Sequence, residues 1–265
     1  MLGWIVHPVL SEHFAHAVGM GRAGQPGYGA GPIPEHKMSN TPPLDETIRR
    51  VTAVFDQWAL AGRAEGMERG HGPYAQRGFG LLDLSKRPMR YLDVGCGNGY
   101  TVRWAAELLG EGEGLALGLD GSAEMVARAA SLSEGLPASF VHAPFPDHGQ
   151  PELLQASSFD GIFSMEVFYY LPDLPAGLAE VARLLRPGGR FVCVVDFYAE
   201  NVASHGWPDD LGVPMTLWSK ADWRSAFEAA GLAVVHQEQL RAAPGSDGGS
   251  WKETVGSLMT VGQRT

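Results

Sequence analysis

The spacing of apolar positions changes several times along the chain, and each change predicts an element. From Leu44 onward, Ile48, Val51, Phe55 and Trp58 recur at steps of three and four, which predicts a helix with one apolar stripe. Thr41, two prolines and then Asp45 and Glu46 suit the start of that helix. The glycine-studded stretch GRAEGMERGHGPY predicts a break and a restart, with a second helix ending near Leu82. Tyr91, Leu92 and Val94 close a buried strand, and Val102, Trp104, Ala105, Leu108 and Leu109 then take helical spacing. LALGLD reads as a second buried strand ending in Asp120, and Ser122 can cap a helix carrying Met125, Val126 and Ala129. A third strand is predicted at about Ser139 to His142, and a fourth around Phe159, Ile162 and Phe163. Leu174 to Leu185 has Leu178, Val181, Leu184 and Leu185 on one helical face, and RPGGR makes a tight turn into a fifth strand, FVCVVDF. A helix near Ser219 to Ala230 precedes a closing strand, polar turn and strand: LAVVHQEQL, APGSDGGSWKE, TVGSLMTVG. Strands alternating with helices predict an α/β architecture around a mostly parallel sheet.

The first 37 residues do not share this patterning. They are rich in Gly, Pro and His, the run GMGRAGQPGYGAGPIPEHK reads as disordered, and no basic segment precedes an apolar core as in a signal peptide. Translation is expected to begin at Met38, leaving residues 1–37 as a leader, 38–85 as a helical cap and 86–265 as the ligand-binding domain. There are no internal repeats.

Composition narrows the function classes. At 265 residues and 45% hydrophobic, the chain is long enough for one large domain with its own core. No apolar stretch is long enough to span a bilayer, and a formal net charge of -10 argues against a general nucleic-acid-binding surface. Cys96 and Cys193 are too few for a disulfide framework or a cysteine metal site, so no metal is expected and a reducing cytoplasm is the simplest location.

The candidate chemistry centres on Tyr91 to Tyr100, YLDVGCGNGY. Glycines at 95, 97 and 99 let the backbone turn sharply and approach a ligand, and the amides opening the next helix favour an anionic group. A strand, a glycine turn and a helix make half of a dinucleotide-type βαβ unit. A nicotinamide fingerprint would need a glycine at position 100, where Tyr100 stands. The pattern is instead D-x-G-x-G-x-G from Asp93, followed after the next strand by Asp120, whose carboxylate can accept both hydroxyls of a ribose.

These motifs resemble those of the class I S-adenosylmethionine-dependent methyltransferases, over roughly residues 86 to 262, and the phrase RLLRPGG adds to the likeness. The resemblance implies a Rossmann-like seven-stranded sheet of order 3-2-1-4-5-7-6 with a terminal antiparallel hairpin. It implies S-adenosylmethionine as cofactor, held by Asp93, Gly95, Cys96, Gly97, Gly99, Asp120, Gly121, Met125, His142, Ala143 and Met165. Met125 could pack on adenine or be plain helix core. His142 and Ala143 stand where related enzymes commonly carry an acid-alanine pair; a neutral imidazole can accept a hydrogen bond there. FDGIFSMEVFYYLPD is similar to methyltransferases of the ubiquinone-biosynthesis type, many of which have a histidine where Tyr170 stands. By the same resemblance the cap could bring Trp58, Arg63, His71 and Tyr74 to the pocket, against a reading of Trp58 as core and His71 as a solvated turn residue.

For the acceptor, there is no (Asp/Asn)-Pro-Pro-aromatic tetrapeptide and no Pro-Cys nucleophile. The long connection YAENVASHGWPDDLGVPMTLW leaves the cofactor side of the sheet and is expected to form much of the acceptor pocket. Its candidates are Tyr198, Glu200, Asn201, Ser204, His205, Trp207, Met215 and Trp218; in the alternative, its aromatics only pin the loop. If a base is needed, Tyr170, Glu166, His205, Glu200 and His71 are candidates. The expected activity is in-line methyl transfer to a small-molecule acceptor, by a monomer or homodimer with no membrane or nucleic-acid partner. An NAD(P)-dependent oxidoreductase and a non-catalytic cofactor-binding module are the alternatives; Tyr100 and the terminal hairpin count against the former.

Overall fold

The computed structural model describes residues 44–85, 88–110, 113–150, 152–246 and 248–265. The expectations for the leader and for a start at Met38 lie outside these residues. Two helices come first, α1 (Leu44–Leu60) and α2 (Ala64–Phe79). They are followed by β1 (Met89–Val94), α3 (Tyr100–Leu109), β2 (Gly114–Asp120), α4 (Ala123–Leu132), β3 (Ala138–His142) and β4 (Phe159–Met165). The remainder is α5 (Leu174–Leu184), β5 (Leu185–Val195), α6 (Trp207–Leu211), α7 (Lys220–Ala229), β6 (Leu232–Leu240), α8 (Trp251–Thr254) and β7 (Ser257–Arg264).

The strands form one sheet in the order β3-β2-β1-β4-β5-β7-β6. β7 runs antiparallel to β5 and β6, and the other pairs are parallel. The sequence order therefore reverses between β1, which pairs with β2, and β4, which lies on its other side. At such a reversal the loops leaving the carboxyl ends of neighbouring strands part to opposite faces and open a crevice.

Strand side chains alternate between the faces. Tyr91, Phe163, Met165, Val192 and Val194 pack on the side of α3 and the end of α2. Leu92, Val94, Ile162, Cys193 and Val195 pack towards α5 and α7. Because both faces are covered, β4 is buried at every position, which is why FDGIFSM reads as a continuous run and not an alternation.

Three local expectations change. α2 runs unbroken through Gly66, Gly70, Gly72 and Pro73. Those residues disfavour helix, but Ala75 is fully buried and Phe79 packs edge-on against Tyr91 and Trp104 at 5.5 and 5.6 Å, so tertiary contact outweighs local preference. RPGG is not a turn ahead of β5 but a bulge inside it: pairing with β4 runs at Phe159–Leu185 and resumes at Gly161–Arg190. The polar turn before β7 contains α8, capped by Ser250, which buries Lys252 to 7% exposure.

Candidate functional site

A cavity of about 1100 Å³, counted out to its mouth, lies over the carboxyl ends of β1, β2 and β4 and beneath α1 and α2.

One wall is the bend after β1. Gly95, Gly97 and Gly99 all have left-handed backbones, with φ of 75°, 53° and 80°. At Gly95 a Cβ would lie 2.1 Å from Val167 Cγ2, so glycine is demanded by packing as well as by backbone angle. At Gly97 a Cβ would meet nothing within 4 Å, so the bare backbone there faces open space. The Asp120 carboxylate braces the bend: Oδ2 accepts from the Gly97 amide and Oδ1 from the Ser122 amide, each at 2.8 Å. Each oxygen keeps a lone pair for a further donor, as a vicinal diol would require. Burial raises the Asp120 pKa, opposed by the Ser122 and Gly97 amides. Behind the bend, Asp93 is pushed up to about 7 by burial, partly offset by a hydrogen bond from the Thr101 hydroxyl.

The cap closes on this wall through polar contacts. Asp56 of α1 accepts from Ser122 Oγ at 2.5 Å and from the Glu124 amide at 3.2 Å. Glu68 of α2 accepts from Asn98 Nδ2 at 2.7 Å and from Arg103, which itself donates to the Asn98 carbonyl at 2.6 Å. Glu65 pairs with Arg128, and Arg50 donates to the Gly212 carbonyl.

The rest of the cavity is mostly apolar. Ile48, Val51 and Phe55 come from α1, Met67 and His71 from α2, and Phe163, Met165, Glu166, Val167, Tyr170 and Leu171 from β4 and the turn after it. His71 is half-buried, and burial together with the Lys252 charge lowers its pKa to about 3, so it is neutral across the physiological range. Glu166 also has a left-handed backbone, with φ of 61°, unusual for a residue with a side chain. Its carboxyl pKa is raised well above the usual range by burial and then by the Asp196 charge.

Of the residues singled out for the cofactor, the structure brings Asp93, Gly95, Cys96, Gly97, Asp120, Gly121, Met125 and Met165 to the cavity wall. Gly99 lies behind the bend, where a Cβ would lie 2.7 Å from Phe140. His142 and Ala143 are not on the wall; the exposed His142 ring contacts the Gly121 carbonyl at 3.0 Å through Nε2, and the Ala143 amide donates to the Asp120 carbonyl. Among the cap candidates only His71 reaches the cavity. Arg63 lies over the Trp58 ring at 5.8 Å, and Tyr74 faces Lys252.

The long connection between β5 and α7 does not line the cavity, which corrects the expectation of an acceptor lid. Tyr198 donates to the Gly256 carbonyl, Trp207 packs between Phe197 and Trp251, and Trp218 packs on Trp223. Asn201 and Ser204 are buried in its own hydrogen bonds, and Met215 packs against the core. His205 contacts the Ala199 carbonyl and Glu200 accepts from the Lys220 amide, so neither reaches the site. The aromatics pin the loop to the end of the sheet.

Several residues were missed. Ala64, Met67 and Glu68 share one face of α2 with His71; His71 was expected at the pocket, and the rest of that face was hidden by reading the glycines as breaks. Asn98 is one of the variable positions of the glycine motif. Asp56 lies on α1 among apolar stripe residues, and Lys252 lies in a stretch read as turn; no spacing signal marks either. Among the described residues no cluster of three or more His, Cys, Asp or Glu could hold a metal, and no helix is long and apolar enough to cross a membrane.

A family model described as "Methyltransferase domain" matches residues 92–193. The chain is 36% identical, at a TM-score of 0.67, to a solved methyltransferase in complex with the Haloferax volcanii Trm112 methyltransferase activator, covering 79% of this chain and 96% of that one. It is 40% identical to nocamycin O-methyltransferase of Saccharothrix syringae over 52% of this chain and 48% of that protein. A Burkholderia thailandensis 1,6-didemethyltoxoflavin-N1-methyltransferase shares the fold at 20% identity and a TM-score of 0.60, over 86% of this chain and 93% of that one. The chain spans about half the length of the curated relatives it matches.

Proposed function

Because the chain belongs to the class I S-adenosylmethionine-dependent methyltransferases, we propose that it transfers a methyl group from S-adenosylmethionine to a small-molecule acceptor. The observation that carries this reading is one continuous cavity with two unlike parts. The part formed by the glycine bend and Asp120 suits the donor; the part under α1 and α2 is lined mostly by apolar side chains, as an organic acceptor would require.

In this reading Asp120 takes the ribose hydroxyls, Gly95 and Gly97 let the backbone lie against the amino-acid portion, and Leu119, Met125 and Phe145 flank the base. The donor supplies an electrophilic methyl carbon on a sulfonium. The chain's own contribution is to hold the acceptor in line with that carbon and to exclude water, and near-attack positioning is worth up to roughly 7–11 kcal/mol. The acidic chain favours a small acceptor over nucleic acid, and two buried free thiols suit a reducing compartment.

The test is calorimetry with S-adenosylmethionine and, separately, NAD+ and NADP+, on the wild type and Asp120→Ala. Binding of the methyl donor alone, weakened at least tenfold in a folded Asp120→Ala, supports the reading. Binding of a nicotinamide cofactor, or unchanged affinity in the variant, refutes it. Donor binding without labelled methyl transfer to any member of a broad metabolite panel would favour a non-catalytic module.

A further inference from the structure

Beyond the cavity wall, at the carboxyl ends of β4 and β5, lies a group of polar side chains that methyl-donor binding leaves unused. Tyr170 lines the cavity and is otherwise buried. Its ring is 4.4 Å from that of Tyr169 and tilted 47° to it, which sets the two phenols side by side. The Tyr169 hydroxyl donates to Glu166 Oε2 at 2.8 Å. Glu166 follows β4 and Asp196 follows β5, and the backbones join there through the Glu166 amide and Val194 carbonyl at 2.9 Å.

Glu166 Oε1 and Asp196 Oδ1 are both buried without a hydrogen-bond partner. Two ionised carboxylates could not satisfy each other, because both would be acceptors only. A single proton shared by the two acids would make one oxygen a donor and the other an acceptor, as two buried acids at one site often do; the Ser257 hydroxyl beside Asp196 is itself buried without a partner. Lys252 supplies the opposing charge: its buried ammonium lies over the rings of Tyr74 and Trp251 at 4.9 and 5.3 Å, and it favours the ionised form of both carboxyls. Of the other titratable groups around the pair, Tyr100 of α3 and Cys193 of β5 sense the Glu166 charge, Tyr198 senses that of Asp196, and His71 of α2 senses Lys252.

We propose that Tyr170, Tyr169 and the Glu166–Asp196 pair form a proton-accepting chain that begins on the cavity wall, so the acceptor is a molecule whose reacting atom is a hydroxyl oxygen or a nitrogen bearing hydrogen. The inference rests on the methyl-transfer reading above and deepens it by assigning the acceptor class. As the acceptor oxygen or nitrogen bonds to the methyl carbon, the carbon–sulfur bond breaks and its electron pair stays on sulfur. The acceptor's proton passes to the Tyr170 oxygen, the Tyr170 hydrogen to Tyr169, and the Tyr169 hydrogen to the carboxylate of the pair. The pair then holds two protons, and one is released to water before the next turnover. Tyr170 is the group that touches the acceptor; Asp196 and Lys252 act through Glu166 as positioning residues.

The shared proton is read directly by infrared spectroscopy of the wild type and of Glu166→Gln and Asp196→Asn. A protonated-carboxyl band that persists at pH 8 and disappears in either variant is expected; its absence from the wild type overturns the proposal. Transfer is read with labelled S-adenosylmethionine against a panel of substituted phenols and anilines. Expected are turnover of at least one member, a kcat at least tenfold lower in Glu166→Gln and Tyr170→Phe, and a flattened pH profile in Asp196→Asn, with donor affinity within twofold of wild type. Methylation confined to carbon acceptors, or unchanged pH profiles in all three variants, overturns it. If the donor itself fails to bind, the methyltransferase reading has failed, and that outcome is separate.

Discussion

Asp93 is the place where the fold and the site conflict most measurably. It is 3% exposed, and its only charge-stabilising partner among the contacts described is the Thr101 hydroxyl. Burial pushes its pKa from the ordinary 3.8 up to about 7. Between those values the folded chain holds a proton that the unfolded chain has lost, so stability falls as pH climbs towards 7 and the loss is complete above it. A shift of about 3 units at roughly 1.4 kcal/mol per unit gives about 4 kcal/mol. Asp93→Asn keeps an oxygen for the Thr101 hydroxyl and removes the charge. It should therefore be more stable than wild type by up to about 4 kcal/mol at pH 8, with the gap closing near pH 4. At this chain length that is a rise in Tm on the order of 10 °C at pH 8. Urea melts of both proteins at half-unit steps from pH 4 to 8 give the difference directly, and the other buried acids cancel in it. Parallel stability curves for the two proteins would refute the reasoning. The same variant should bind the donor more weakly, the usual consequence of relieving strain kept for function.

Gly97→Ala should fold with a loss of about 1–2 kcal/mol from its left-handed backbone and bind S-adenosylmethionine at least tenfold more weakly, because its new methyl enters the cavity. Gly95→Ala should fail to accumulate as folded protein, since its Cβ collides with Val167; circular dichroism separates the two. At pH 6.5, binding of the cationic donor should draw a proton off Asp93, seen as a dependence of calorimetric enthalpy on buffer ionisation heat that disappears in Asp93→Asn. Glu68→Ala removes the hold of α2 on Asn98 and Arg103. It should cost about 1 kcal/mol in stability and speed release of S-adenosylhomocysteine several-fold in stopped-flow fluorescence.

Much of the sheet was legible because its signals are local and redundant. β1, β2 and β4 are apolar runs that end where a glycine or acid begins, and Ser122 caps α4 by bonding the Met125 amide. The glycine bend and Asp120 could be paired from sequence because the βαβ unit fixes how far apart they fall. The acceptor side was far less legible. α2 contradicts its own composition and is helical only because the sheet and α3 receive it, so of the face it turns to the cavity His71 was anticipated but Ala64, Met67 and Glu68 were not. The β5–α7 connection is rich in aromatics, a composition that suits a pocket and a packed loop equally; only the positions of Phe197, Trp223 and Trp251 decide it. Lys252 could not be read at all, since burying an ammonium depends on rings brought from α2 and α8.

Among the contacts described, α1 grips the domain through both kinds of interaction, but at the rim its hold is polar: Asp56 on Ser122 and Arg50 on Gly212. Hydrogen bonds to a charged group are each worth about 1.5–3 kcal/mol; the Asp56 contact is part-buried, whereas that of Arg50 is exposed. Salt weakens the exposed Arg50 contact more than the part-buried Asp56 contact. Moderate ionic strength would therefore ease the mouth from the Arg50 side first, while the part-buried edge of α1 stays seated.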